Sequence, residues 1–273
     1  MSEQRKMKSY EELEFKDNFM FKKVMEDEVL CSEVLECLLE RKIEELGESQ
    51  TQKELQHTSR SKPIYLDVMN ITDSGEVFDT EMENLNHKKI EDHTLPKRSR
   101  YYQSSIDMEF LEKGDTYKKL PESNVVFICT FDPFQMEISQ YSFRERCDQK
   151  PEMELGDGTR KYFFNCTYQG DDISKELRHF YDYVINGRAE SELTKKIHAA
   201  VVKGRKNEIW RAQYMREWDY TKEVREEGRE EGREEERINT ERERKKAEQE
   251  RERADRAERR VKELEAMLAE KSV

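Results

Sequence analysis

The sequence predicts an α/β fold, a mixed sheet flanked by helices, followed by a long charged C-terminal helix. Residues 62–84 have the pattern of two strands joined by a tight turn. Residues 124–131 form a short apolar run bounded by turn residues, which is typical of a strand buried on both faces. From residue 219 onward, 35 of the 55 residues are charged. We therefore expect a globular domain over residues 1–215 and a helical, weakly coiled-coil tail over 216–273.

The N-terminal region predicts two helices. After a polar start, apolar residues such as Phe19, Val24 and Leu35 recur at helical spacing. The spacing breaks near Asp27, so the helices are predicted over 17–26 and 28–40. Residues 40–61 are polar and predict a short helix or a loop that leads to the hairpin.

The predicted hairpin carries four acidic residues inside otherwise apolar strands: Asp67, Asp79, Glu81 and Glu83. Acidic residues are poor strand formers, so their presence needs a reason. Two unit charges ~4 Å apart repel by ~4 kcal/mol at an effective dielectric of about 20. Mg²⁺ or Mn²⁺, which prefer oxygen ligands, would offset that repulsion. The alternative is a solvated face of an antiparallel hairpin.

The turn decides between these alternatives. Glu81 and Glu83 are two residues apart and point to one face. A two-residue turn at Ser74-Gly75 would place Asp67 opposite Met82. A three-residue turn or a β-bulge would place Asp67 on the face of the two glutamates, as the metal hypothesis requires.

Proline and glycine mark a further helix between Pro96 and Gly114. Basic and polar residues lie near its start: Lys97, Arg98, Arg100, Tyr101 and Gln103. One hypothesis is that the cations hold nucleic-acid phosphates and that Gln103 positions a water. The alternative is a surface patch that pairs with neighbouring acids. His87 and His93 could approach a metal, but two histidines alone are weak evidence and a solvated surface is the favoured interpretation.

The remaining elements are predicted by periodicity. Residues 141–146 and 161–167 predict a strand pair, and residues 174–184 and 193–215 predict helices. In the tail, opposite charges four residues apart favour an exposed helix. A weak heptad follows Ala247, Ala254, Ala257, Val261, Leu264 and Leu268, so a homo-oligomer through this helix is possible.

Composition limits the partners and the compartment. The net charge is −12, so DNA binding must come from local basic patches or from a bridging metal. The five cysteines are odd in number and lack a CxxC spacing, which predicts reduced thiols in a cytoplasmic protein. The polar N-terminus predicts no secretory signal, and no apolar run approaches the ~20 residues that span a bilayer.

Several motifs, in this order, resemble one family. They are FKDNFMFKKVM (15–25), IYLDV (64–68), DTEMEN (79–84), LPKRSRYYQSSID (95–107), KGDTYKKLP (113–121) and VVFICTFDPF (125–134). The chain over about residues 14–215 is similar to the Rpn family of recombination-promoting nucleases and putative transposases, which belongs to the PD-(D/E)XK nucleases.

The resemblance implies a PD-(D/E)XK restriction-endonuclease-like core and a Mg²⁺-dependent DNA endonuclease linked to recombination or transposition. Asp67 and Glu81 would hold the metal, and Asp17 would complete the shell from the first helix. Glu83 would be a third ligand or would orient a water. The basic residues near Pro96 would contact the DNA backbone.

Two positions depart from the family pattern. The family usually has Glu-x-Gln and the wider superfamily Glu-x-Lys, whereas here position 83 is Glu. The family's Asp near the first helix is Asn18 here, beside Asp17. Two further hypotheses therefore stand beside the nuclease: a catalytically weakened DNA- or protein-binding module with the tail as an assembly handle, and a tethered scaffold whose acids are structural.

Overall fold

The structure is a computed structural model that describes residues 7–47, 49–55, 64–84 and 94–270. The chain divides into two compact units, Met1–Tyr214 and Met215–Val273. The first unit contains the sheet, the packed helices and every predicted site residue.

The chain forms six helices and eight strands over the described residues. The helices are α1 (Asn18–Met25), α2 (Glu28–Leu39), α3 (Thr94–Phe110), α4 (Lys175–Asn186), α5 (Glu192–Gly204) and α6 (Glu208–Glu270). The strands are β1 (Gln50–Leu55), β2 (Ile64–Ile71), β3 (Val77–Glu83), β4 (Ser123–Cys129), β5 (Gln140–Phe143), β6 (Arg146–Cys147), β7 (Lys150–Glu154) and β8 (Thr159–Asn165). Short 3₁₀ turns lie at Tyr10–Glu12 and Tyr117–Lys119.

Six strands form one mixed sheet in the order β1-β2-β3-β4-β8-β5. The strands β3, β4 and β8 run parallel, and the other neighbours are antiparallel. Every residue of β4 is buried, which confirms the prediction of a central strand. The predicted class, a mixed α/β sheet flanked by helices with a long C-terminal helix, is confirmed.

Hydrophobic clusters cover both faces of the sheet. On one face, α1, α2, α4 and α5 pack around residues such as Phe21, Phe78 and Phe164. On the other face, α3 packs through Tyr102 and Ile106 onto a cluster that includes Phe127. The strand β3 contributes to both clusters, so its two sides face different helical layers.

The turn between β2 and β3 contains three residues. Thr72 N donates to Glu76 O (2.9 Å) and Gly75 N donates to Thr72 O (2.9 Å), which leaves residues 73–75 as the loop. Gly75 has φ +89°, a conformation that L-residues rarely adopt. The resulting register pairs Val68 with Thr80. Continued by one residue, this register sets Asp67 opposite Glu81, the arrangement that the metal hypothesis requires.

Two predictions about secondary structure are wrong in part. The polar segment 40–61 contains a strand, β1, which pairs with the edge of β2. The backbone hydrogen bonds to β2 stabilise this strand, although its polar residues do not predict one. The helix predicted over 193–215 is two helices. It breaks after Gly204, and Asn207 Oδ1 accepts from Ile209 N (3.0 Å) and Trp210 N (3.2 Å) to begin α6.

A hairpin that was not predicted from the sequence, formed by β6 and β7, lies between β5 and β8. The predicted pairing of the strands on either side of it is present, since β5 and β8 pair antiparallel.

The second unit is helical, as predicted. Ala247 and Ala254 of the predicted heptad are exposed. The other heptad positions, Ala257, Val261, Leu264 and Leu268, lie outside the residues whose side chains are described. Self-association through this helix therefore stays a prediction. In the described parts of the chain, no helix has the length and apolar content needed to cross a membrane.

We predict that Gly75→Ala destabilises the domain by about 1 kcal/mol, because a Cβ disfavours the positive φ of the turn. Gly75→Asn should cost less, since Asn tolerates the left-handed region better than Ala. Urea unfolding of both variants measures the difference. Equal stabilities of Gly75→Ala and the wild type would show that the three-residue turn is not formed.

Candidate active site

The backbone hydrogen bonds between the two hairpin strands end next to Asp67 and Glu81, and we call this place the hairpin opening. The backbone pairing of β2 with β3 ends at Val68 and Thr80. One residue further, Asp67 N donates to the carboxylate Oε1 of Glu81 (2.7 Å). Met82 N donates to Oδ2 of Asp67 (3.2 Å). Each carboxylate thus replaces a backbone acceptor of the ladder, and the two side chains are fixed against each other's strand.

Helix α1 reaches this opening from one face of the sheet. Asn18 Nδ2 donates to both carboxylate oxygens of Asp67, at 2.8 and 2.9 Å. Lys22 lies one helical turn later on the same side of α1 and is buried. The charge of Lys22 lowers the pKa of Asp67, although burial, the larger effect, raises that pKa overall. Lys22 was not predicted from the sequence, and its spacing of four from Asn18 was the available signal.

Helix α3 reaches the opening from the other face through Arg98. Its Nη2 donates to Glu81 Oε2 (2.9 Å) and its Nη1 donates to Glu83 Oε2 (2.5 Å). The guanidinium lies 5.2 Å from the ring centroid of Tyr102 and 5.0 Å from that of Phe127. Two hydrogen bonds in the plane of the guanidinium and two aromatic rings against its faces therefore hold Arg98 in place.

The four acids are buried to an unusual degree. Asp67, Asp79, Glu81 and Glu83 are at most 8% exposed. Burial is the main cause that raises the pKa of Asp79 and of Glu81 well above their usual values. The nearby Asp67 raises both pKa values further, whereas Arg98 opposes the shift. The cluster therefore favours bound protons or cations.

Asp79 is the least satisfied of the four acids. Both of its carboxylate oxygens are buried, and neither accepts a hydrogen bond from a donor group among the described residues; the neighbouring Glu81 can bond to Asp79 only when one of the two carboxyl groups is protonated. A buried acceptor left in this state costs roughly 1–3 kcal/mol. Asp79 lies on the same side of β3 as Glu81 and Glu83. The free-energy cost of its unsatisfied carboxylate therefore destabilises the acidic cluster itself.

The donor set fits a hard divalent cation. Carboxylates are the ligands that Mg²⁺ and Mn²⁺ prefer, and the unsatisfied Asp79 adds negative charge beside Asp67 and Glu81. Among the described residues, no group of three or more His, Cys, Asp or Glu side chains is arranged so that it could hold a metal ion. Mg²⁺ commonly binds through one or two carboxylates with waters and substrate phosphates, so a site of two carboxylates does not need a third protein ligand.

Asp17, predicted to complete the metal shell, binds the N-terminal segment in the structure. Its Oδ2 accepts from Lys8 Nζ (2.6 Å) and from Glu14 N (2.7 Å), which directs it to the N-terminal segment. Its neighbour Asn18 is the residue of α1 that contacts Asp67. The reason is helical geometry, since Asp17 precedes the first residue of α1 and Asn18 begins it.

The residues near the start of α3 separate into two groups. Lys97, Arg100 and Tyr101 are exposed, as a contact surface requires. Arg98 instead turns inward to Glu81 and Glu83, and Gln103 is buried and donates to Ser123 Oγ. Both lie on the side of α3 that packs on the sheet, where Gln103 is buried and Arg98 stays partly exposed.

His87 and His93, which could approach a metal, lie outside the residues that the structure describes.

Comparison with known proteins gives one match. A family model described as PD-(D/E)XK nuclease family transposase matches residues 14–150, a span that includes α1, the acidic hairpin and α3. No curated protein matches, and no solved structure matches.

We predict that Asp79→Asn stabilises the metal-free protein at pH 7 by roughly 1–2 kcal/mol, because it removes the cost of ionising a buried carboxyl group beside other acids. The folded-state pKa of Asp79 is raised, so the contribution of this group to stability is fully present below the unfolded pKa of about 4 and is lost as the pH rises towards the folded pKa. The gain should therefore vanish near pH 4.

Urea unfolding in EDTA between pH 4 and 8 measures this gain, with the exposed Asp171→Asn as the control. A constant difference across that pH range would contradict the assignment of the raised pKa to Asp79.

Proposed function

The chain belongs to the PD-(D/E)XK nuclease family transposases, and we propose that it is a metal-dependent DNA endonuclease that hydrolyses phosphodiester bonds in DNA recombination or transposition. One observation carries this proposal. Asp67 and Glu81 are held together at the opening of a buried hairpin, within reach of helices from both faces of the sheet. That geometry supplies a fixed pair of carboxylates for a divalent cation.

The residues have distinct roles in this proposal. Asp67 and Glu81 hold Mg²⁺ or Mn²⁺, which when bound polarises a phosphoryl oxygen and lowers the pKa of a water. Asn18 fixes the orientation of Asp67 through two hydrogen bonds. Glu83 fixes Arg98 beside Glu81 and contributes as a third acid to the site. Asp17 takes no part in the metal shell.

DNA binding rests on a local surface, because a net charge of −12 repels nucleic acid at long range. Lys97 and Arg100 are exposed on the first two turns of α3, with Tyr101 beside them. Arg98, on the inner side of the same turns, reaches the carboxylates. Phosphates held by the outer residues would thus lie close to the candidate metal ligands.

A second candidate function has its own support. Both oxygens of Glu81 accept hydrogen bonds from the protein, one from Asp67 N and one from Arg98. A metal has to share these oxygens with their donors, which favours a catalytically weakened module that binds DNA or a protein and uses the tail for assembly. The compartment proposed for either function is the cytoplasm, supported by five cysteines that are all free thiols.

We predict that the wild type nicks supercoiled plasmid with Mg²⁺ or Mn²⁺ and that Glu81→Gln slows nicking by at least about 100-fold, because loss of a ligand removes several kcal/mol of metal-borne stabilisation. Glu112→Gln, at an exposed position, is the matched control and should nick like the wild type. Thermal midpoints check that each variant is folded.

Equal nicking by the wild type and Glu81→Gln would contradict the assigned site. A wild type that binds DNA without nicking it would favour the binding module instead.

A second prediction concerns the DNA surface. Lys97→Ala and Arg100→Ala should each weaken binding across unrelated DNA sequences and reduce the slope of log affinity against log salt by about 0.9. Fluorescence anisotropy over a salt series measures this slope. Unchanged slopes in both variants would place the DNA-binding surface elsewhere.

A further inference from the structure

Position 83 creates an electrostatic problem for the proposed reaction. Glu83 lies two residues beyond Glu81 on the same side of β3 and is buried. Hydrolysis of a phosphodiester builds negative charge on the phosphoryl group, which a fixed positive charge stabilises. An acid at this position adds to the negative charge and provides none of the positive charge.

Arg98 brings a positive charge to that place from another element. Its two Nη atoms each bind one glutamate, and Tyr102 and Phe127 contact the guanidinium. An arginine has five N–H donors, of which these two bonds use two. Its Nε is buried without a hydrogen-bond acceptor in the described part of the chain. The group is therefore immobilised, and the second N–H of each Nη atom can still donate to a substrate.

The cation of α1 serves the other end of the cluster. Lys22 is buried one helical turn after Asn18, the residue of α1 that binds Asp67. The glutamate end of the cluster therefore depends on Arg98, which is hydrogen-bonded to both Glu81 and Glu83.

We propose that Arg98 is a catalytic residue of this site, whose guanidinium contacts the scissile phosphate and stabilises its developing charge, and that Glu83 is a positioning residue that holds Arg98 in place. This inference rests on the proposed nuclease function. Arginine suits the role because its planar fork bridges two carboxylates while stacking on aromatic rings, which a single ammonium group does not do.

The experiment compares Arg98→Met, Arg98→Lys and the double variant that combines Glu83→Lys with Arg98→Met. Arg188→Met, an exposed arginine remote in sequence, is the control for loss of charge. Three quantities are measured for each protein: single-turnover cleavage of a DNA duplex with Mn²⁺, the Mn²⁺ affinity by calorimetry without DNA, and the thermal midpoint.

We expect Arg98→Met to cleave about 100-fold more slowly, the scale for loss of one fixed donor to a transition-state oxyanion. Its Mn²⁺ affinity should be equal to or tighter than that of the wild type, because a competing cation has left Glu81. Arg98→Lys should recover only part of the rate. The double variant should cleave faster than Arg98→Met, because the lysine introduced on β3 returns a cation to the same place.

Cleavage by Arg98→Met at the rate of Arg188→Met would overturn the inference while leaving the nuclease function intact. Parallel losses of cleavage, Mn²⁺ affinity and thermal midpoint would also overturn it and would assign Arg98 a structural role. If Arg98→Met does not fold, a fully active Arg98→Lys overturns the proposal and a folded, slower Arg98→Lys supports it. An inactive wild type instead defeats the proposed function itself.

Discussion

Four carboxyl groups are buried within two adjacent strands, and the architecture around them serves to keep them there. Asp67, Asp79, Glu81 and Glu83 are nearly inaccessible, yet they carry negative charge when ionised. Charges buried at this depth are costly unless they are paired, protonated or bound to a cation. Helices on opposite faces of the sheet supply the cationic partners Lys22 and Arg98.

The sheet determines the position of the four acidic residues. The strand β3 is held on one side by the parallel β4, and its register with β2 is set by the three-residue turn. The backbone ladder of β2 and β3 then stops, and carboxylates take the place of carbonyl acceptors. Phe127 of β4 lies beneath the guanidinium of Arg98, so the hydrophobic core also orients the charged site. A change in the length of the turn would therefore shift the acidic side chains of the site as well as the backbone.

Much of this arrangement is encoded locally. The acids in an apolar hairpin, the central strand β4 and the helix opening near Pro96 are visible in the sequence because each has a distinct periodicity or turn signal. The register was ambiguous, since Asp73 to Glu76 suits turns of two or three residues. The polar strand β1 was hidden because its partner, rather than its composition, makes it a strand.

The direction of individual side chains was the least predictable feature. Arg98 was expected at the surface together with Lys97 and Arg100, but the packing of α3 on the sheet turns Arg98 inward. Asp17 and Asn18 are neighbours, and only the start of α1 decides which of them meets Asp67. Such choices depend on how a helix is rotated against its layer, which no local pattern specifies.

The central claim is that Asp67 and Glu81 together bind a divalent cation, and a crystal structure of the protein grown with Mn²⁺ tests it most directly. We predict an anomalous manganese peak within about 2.5 Å of carboxylate oxygens of both residues, while Arg98 keeps its contact with Glu83. A well-ordered site with no such peak at saturating Mn²⁺, or manganese bound only elsewhere, would contradict it.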